Sequence, residues 1–437
     1  MLNETASSIE DRPALRSTVR YTPEDAQHSE LREMVMSVLS IDRESFEDEN
    51  KLPKENLLLI GPDARFVASF EGKLLIDSET AYEKLDNLLS ASNQLALFRE
   101  SAGKHIVYVV AGRAHPKPRP WWPNLLLFIV TIFSVLLVGT DIAINEIANG
   151  DAAVAQPYVD NLVLNLWRGL PYTIAILLIL GSHELGHYFA ARHHKLAVTL
   201  PYFIPAPLIS LIGTFGAFIQ LREPMRNRKV LLDVGAAGPL TGLIFAIPIL
   251  FIGLATSSVG VIHVGSGVEG NSLLYALAKT IVFGRFLPDG THDVYVNQLA
   301  WAGWTGLLVT ALNLIPIGQL DGGHLLYSLI GERARIVFYP LIAGMVILVL
   351  LGNDVWLFWL ILLFLFGRVY ATPLDMITPM NMRRKLIAVL GLLVFVVTFV
   401  PIPFSTVTEA PKAAPLGDAV WLPVAMLTFY TLWKRRA

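Results

Sequence analysis

Residues 181–189 read GSHELGHYF, which sets His183 and His187 four positions apart with Glu184 directly after the first. On a helix that spacing stacks the two imidazoles one turn apart on one face, where both reach a single tetrahedral metal. Glu184 is turned off that face. It is poorly placed to be a third ligand but well placed to hydrogen-bond a water at the metal and take its proton. The chain contains no cysteine, so a metal must be held by His, Asp or Glu. A third ligand is expected from NLIPIGQLDGGHLL, residues 313–326, whose carboxylate is Asp321. Pro316 and Gly318 interrupt the helical pattern there, and broken helix at membrane depth is tolerated only where it lines a protein cavity or water. Gly322 and Gly323 permit close backbone approach. His324 reads as structural rather than as a fourth ligand, because a tetrahedral metal that activates water keeps its fourth position for that water. The simpler readings are a solvated helix end shared with Arg192, His193 and His194, and an Asp321 that only caps the next helix. Ionisable groups inside an apolar span favour function over both.

These residues need a frame, and composition describes it. The 437 residues are 54% hydrophobic and only 16% charged, where a soluble domain carries roughly a quarter charged residues. An α-helical polytopic membrane protein is expected, seated in a lipid bilayer. About eight transmembrane helices are read near 123–145, 166–192, 231–256, 296–316, 337–352, 354–368, 386–403 and 417–433, the fifth and sixth short enough to form one hairpin. Arg113, Lys117 and Arg119 precede the first span, and Arg192 and Lys195 follow the second. Arg222, Arg226, Arg228, Lys229, Arg333, Arg335, Arg368, Arg383, Arg384, Lys385 and Lys434–Arg436 fall on that same side, which the positive-inside rule makes cytoplasmic, with both termini. A net charge of −2 argues against nucleic acid as a partner. The first twenty residues lack the apolar core of a secretory signal.

Residues 1–50 read as a polar lead-in and 51–120 as a small α+β soluble domain. Its periods run strand, helix, strand, strand, with Ser78 as helix N-cap, and no catalytic grouping is visible in it. It reads as an accessory module. Between the second and third spans, LPYFIPAPLISLIGTFGAFIQL holds Pro201, Pro205 and Pro207 and is a poor helix. It reads as re-entrant strands near the site, either an edge that pairs with an unwound substrate or a loop that plugs the core. Asp233, Asn353 and Asp354 read as span-end residues, and the methionine-rich 376–382 stretch as a loop without a metal.

HELGH at the cytoplasmic end of one span, followed by N-x-x-P-x-x-x-x-D-G in a later one, strongly resembles the site-2 protease family of intramembrane zinc metalloproteases. The resemblance covers about residues 165–325. It implies one zinc ion (Zn2+) per chain on His183, His187 and Asp321, with Glu184 as the base and Asn313 positioning the substrate or its developing oxyanion. It makes residues 121–437 a membrane metalloprotease domain. GTFGAFIQL (213–221) and the soluble N-terminal portion resemble the EGY-type branch, known from plastids, cyanobacteria and other bacteria. One departure is GPLT, 238–241, where many members carry Asn or Ser after Gly-Pro and this chain has Thr241 two positions on. The expected activity is zinc-dependent endopeptidase cleavage of transmembrane protein substrates within or near their spans, in a bacterial inner membrane. An intramembrane metal transporter and a non-catalytic scaffold are the alternatives. The chain's lack of cysteine makes the orientation directly testable: a Ser266→Cys probe, in the 257–295 loop, should react with an impermeant maleimide only from the non-cytoplasmic side. Labelling from the cytoplasm alone would invert the topology.

Overall fold

The structure is a computed structural model that describes residues 23–46, 64–148, 151–207, 209–352 and 355–407. At the N-terminal end β1 (Leu39–Phe46), β2 (Arg65–Leu74), β3 (Gln94–Ser101) and β4 (Lys104–Ala111) form an antiparallel sheet in the order β1-β2-β4-β3. Alternation sets Ala68 and Phe70 of β2 and Val107 and Val109 of β4 inward. Against them packs α2 (Ser78–Ser90), whose Ala81, Tyr82, Leu85 and Leu89 recur at helical spacing, and α1 (Pro23–Met36) adds Leu31 and Val35. The cap of α2 is Asp77, not Ser78: the Asp77 carboxylate accepts from the Thr80 amide at 3.0 Å. Ser78 instead meets Thr378, 2.9 Å away, from a far part of the chain. Residues 39–46, read from sequence as lead-in, belong to this sheet.

Beyond Trp121, among the described residues, four helical stretches are long and apolar enough to cross a bilayer: Trp122–Ala148, Leu162–His193, Arg228–Ala255 and Asp321–Leu350. They contain α3 (Trp122–Ala148), α4 (Leu170–His193) and α5 (Arg228–Ala255). The 337–352 segment is thus the second half of a longer stretch. The 296–316 segment is the 16-residue α7 (Gln298–Asn313), which follows α6 (Leu273–Phe283) in the loop before it. Sixteen residues reach about 24 Å, short of a hydrocarbon core of about 30 Å. Protein covers α7: Ala300, Ala302, Trp304 and Leu307 are all buried, so lipid thickness does not dictate its length. The Asp321–Leu350 stretch comprises α8 (Asp321–Ile330), a 3-10 turn and α9 (Phe338–Leu350). Next come α10 (Val355–Phe366) and the 17-residue α11 (Met382–Thr398). Here α9 and α10 share a core through Met345, Leu348, Trp356 and Leu363, as a hairpin does. The expected span at 417–433 lies outside the described residues, as do Asn353 and Asp354.

Between α4 and α5 the proline-rich stretch forms an antiparallel hairpin of β5 (Tyr202–Pro205) and β6 (Thr214–Phe218). The 257–295 loop is also built. Ser258–Val261 pairs with His292–Tyr295, and Gly267–Glu269 pairs with Phe404–Thr406. Beneath them Lys279, fully buried on α6, is held by Asp293 at 2.8 Å and Glu269 at 3.1 Å. Asp233 lies on α5 and accepts from Arg384 at 2.6 Å and 2.8 Å, with His194 2.9 Å away, so one carboxylate ties the ends of α4, α5 and α11.

Candidate metal centre

Helix α4 puts His183 and His187 on its inner face, both nearly excluded from solvent. Their Nε2 atoms are 3.1 Å apart. Asp321, the first residue of α8, brings Oδ2 to 3.3 Å from each of them. Two donors on bonds of about 2.0 Å at a tetrahedral angle stand about 3.3 Å apart, so the three atoms match one face of a zinc tetrahedron. The tautomer fits as well. His187 Nδ1 donates to the Val234 carbonyl at 2.7 Å, which leaves the Nε2 lone pair free for a cation. Asn313 ends α7 with its Nδ2 3.4 Å from His183 Nε2. All four residues that were read from sequence around the metal therefore converge, together with Glu184.

The chain reaches this arrangement by stopping one helix and starting another. After Asn313, residues 314–320 run as a turn with Gly318 at φ +59°, and α8 begins at Asp321 itself. A side chain on Gly322 would run into the Leu314 carbonyl, so the tight return that aims Asp321 inward requires glycine there. Close packing of α4 on α5 also depends on missing side chains. A Cβ on Gly238 would fall inside the His187 imidazole, and one on Gly242 would be 3.2 Å from His183 Cβ. Thr241, the departure in GPLT, donates to the Ala237 carbonyl at 2.5 Å; its Oγ1 lies 2.7 Å from where a Cβ on Gly186 would be. It therefore serves the α4–α5 contact, not the cavity.

A cavity of about 830 Å³ opens at this cluster and is lined by His183, Glu184, His187, Asn313, Asp321 and His324. Its wall continues through residues 217–225, from the end of β6 to Met225, and through Ala371 and Thr372. Glu184 is buried at this surface beside His183, His187 and Asp321, where a carboxylate can exchange a proton with a group in the cavity. Among the described residues His183, His187 and Asp321 are the one His/Cys/Asp/Glu group with metal-ligand spacing. Two contributors escaped the sequence reading: the Val234 carbonyl and the clearing at Gly238. The run Gly235, Gly238, Gly242 on α5 was the available signal.

Residues 171–351 match the family model described as Peptidase family M50. Over 386 residues the chain is 28% identical to "Probable zinc metalloprotease EGY2, chloroplastic" of Arabidopsis thaliana, covering 82% of this chain and 67% of the relative. The EGY2 protein of Oryza sativa subsp. indica is 29% identical, with 83% and 69% covered. "Probable zinc metalloprotease EGY1, chloroplastic" of Arabidopsis thaliana is 30% identical, with 66% and 55% covered. These bear out the EGY-type resemblance; their named location is the chloroplast, which lends no support to a bacterial inner membrane. No solved structure is matched. The packing at Gly238 is testable without any activity. Gly238→Ala should weaken zinc binding by about tenfold or more, the scale of a disturbed outer shell. Gly344→Ala, which meets nothing within 4 Å, should leave zinc per chain at the parental value. Equal zinc content by mass spectrometry in both variants would contradict the packing argument.

Proposed function

We propose that this chain, whose residues 171–351 carry a peptidase family M50 domain, is a zinc-dependent intramembrane endopeptidase that cuts membrane-protein substrates within or near their spanning segments. The observation that carries the reading is the tetrahedral-face spacing of His183, His187 and Asp321 with Glu184 at the same cavity. Those three residues would hold the ion. When bound, zinc supplies Lewis acidity, which polarises a carbonyl and acidifies water. Glu184 accepts a proton at its carboxylate from the attacking water and returns it to the leaving nitrogen. Asn313, beside His183, offers its Nδ2–H to the substrate carbonyl as negative charge gathers there. The surrounding apolar helices limit bulk water, so these few dipoles act in a medium that weakens them little. Such a site suits a peptide bond presented from lipid.

Three finer readings belong to the same proposal. The helices α7, α9, α10 and α11, with the 417–433 segment, complete about eight spans. The basic residues flanking them support a cytoplasmic position for both termini and the cavity mouth. The N-terminal portion up to about residue 120, with the strand at 39–46 in its sheet, acts as a soluble domain, and residues 121–437 act as a membrane protease domain. The hairpin of β5 and β6 reaches the cavity through Ala217 and Phe218, so its edge can receive an extended segment of substrate.

Glu184→Gln separates the base from the ligands, since it keeps shape and a hydrogen bond but takes up no proton. With a fluorescent transmembrane substrate in proteoliposomes, the variant should keep its zinc and lose cleavage by about a hundredfold or more. Parental turnover in that variant would remove Glu184 from the mechanism. Zinc movement across the vesicle without proteolysis by the parent would replace the enzyme with a transporter.

A further inference from the structure

The N-terminal sheet does not end at β3. Residues 374–376, between α10 and α11, lie alongside that edge strand: the Phe98 amide donates to the Leu374 carbonyl at 2.9 Å, and the Met376 amide donates to the Phe98 carbonyl at 3.1 Å. Arg99 adds a side-chain bond to the Leu374 carbonyl at 2.7 Å. On its other side the same segment pairs with residues 225–227. Leu374 N donates to Met225 O at 3.0 Å, and Asp375 N donates to Arg226 O at 2.7 Å. The contact is dry. Leu374 is buried in the domain's own core, and Asp375 is 1% exposed, its carboxylate accepting from the Ile377 and Thr378 amides at 2.8 and 3.1 Å. Two side-chain contacts flank it, Ser78 with Thr378 and an ion pair of Lys229 with Glu79 at 2.6 Å.

Both ends of this added ladder lead to the metal cluster. Just upstream of residues 374–376, Ala371 and Thr372 are cavity wall, and so is Met225. Downstream, Asn227 caps α5 by accepting from the Lys229 and Val230 amides, both at 3.1 Å, and one further turn along α5 Val234 holds His187. The connector that leaves β4 closes another part of the same wall with Ala114, His115 and Pro116.

We propose that the N-terminal α+β domain is a fixed wall of the substrate cavity: by completing a ladder with 374–376 and 225–227, it holds the cytoplasmic side of the cavity against which an entering substrate segment lies. This rests on the proteolytic reading above. A main-chain ladder with a buried leucine and a buried carboxylate is expensive to open, so the domain works in place and not as a lid. Loss of the wall removes contacts to bound substrate while the reacting groups stay where they are, so it raises KM more than it lowers kcat.

The test uses the full chain. Leu374→Asp places a carboxylate in the domain core and should raise KM for a transmembrane reporter about tenfold, with kcat and zinc per chain within about twofold of the parent. In case that variant does not fold, Lys229→Glu sets like charges against Glu79 at the rim and should raise KM about two- to threefold, with Glu79→Lys in the same chain restoring it. Ser78→Cys with Thr378→Cys, in a chain without native cysteine, should cross-link on oxidation and cleave at the parental rate. Parental KM in both undocking variants, or loss of zinc from a folded Leu374→Asp protein, would overturn the wall. So would an oxidised Ser78→Cys/Thr378→Cys protein that is silent until reduced, since that marks a moving lid. A parent that never cleaves the reporter would instead sink the proteolytic reading itself, before any variant is compared.

Discussion

Two imidazoles and a carboxylate at membrane depth are the demand that the rest of the membrane portion answers. An unpaired charge in lipid costs several kcal/mol or more, and an unsatisfied polar group costs a few. Here the three groups face one another across 3.1–3.3 Å, and one imidazole is anchored to a backbone carbonyl. That is tolerable only if helices come closer than side chains normally allow. Gly238 and Gly242 supply the approach of α5 to α4, and the 314–320 turn brings α8 under both. A divalent cation would take a lone pair from each of the three groups, so the metal and the packing are one problem.

The same demand explains where regular structure stops. A metal centre for peptide cleavage must also admit a peptide, and continuous helices would seal it. The β5–β6 hairpin, the end of α7 and residues 371–372 between α10 and α11 each interrupt a helical pattern, and each forms cavity wall. Irregular backbone at such depth is affordable because it lines a cavity, not lipid. The N-terminal sheet meets the segment that follows this wall through main-chain bonds between Phe98 and residues 374 and 376.

How much of this was legible depended on whether side chains carried the signal. His183, Glu184 and His187 were readable because a four-residue spacing has one meaning on a helix, and Asp321 because it was the good carboxylate candidate in a broken apolar segment. The β5–β6 hairpin was readable from its prolines. The partner of His187 was not, since a carbonyl at Val234 leaves no mark in the sequence. Neither was the docking of Leu374–Met376 on Phe98, which is main-chain pairing between segments far apart in the chain. β1 was missed because LSIDRESF is mostly polar, as suits an edge strand with one face in water. The N-cap moved by one residue, to Asp77, because both neighbours can cap and only geometry chooses.

The central claim is a single catalytic zinc on two imidazoles and one carboxylate, and zinc K-edge X-ray absorption on the purified full chain addresses it most directly. The expected spectrum has about one zinc per chain with only nitrogen and oxygen neighbours at about 2.0–2.1 Å, and outer-shell scattering from two imidazole rings. A zinc-free protein after preparation in zinc-replete medium, or a six-oxygen shell without imidazole scattering, would contradict the account.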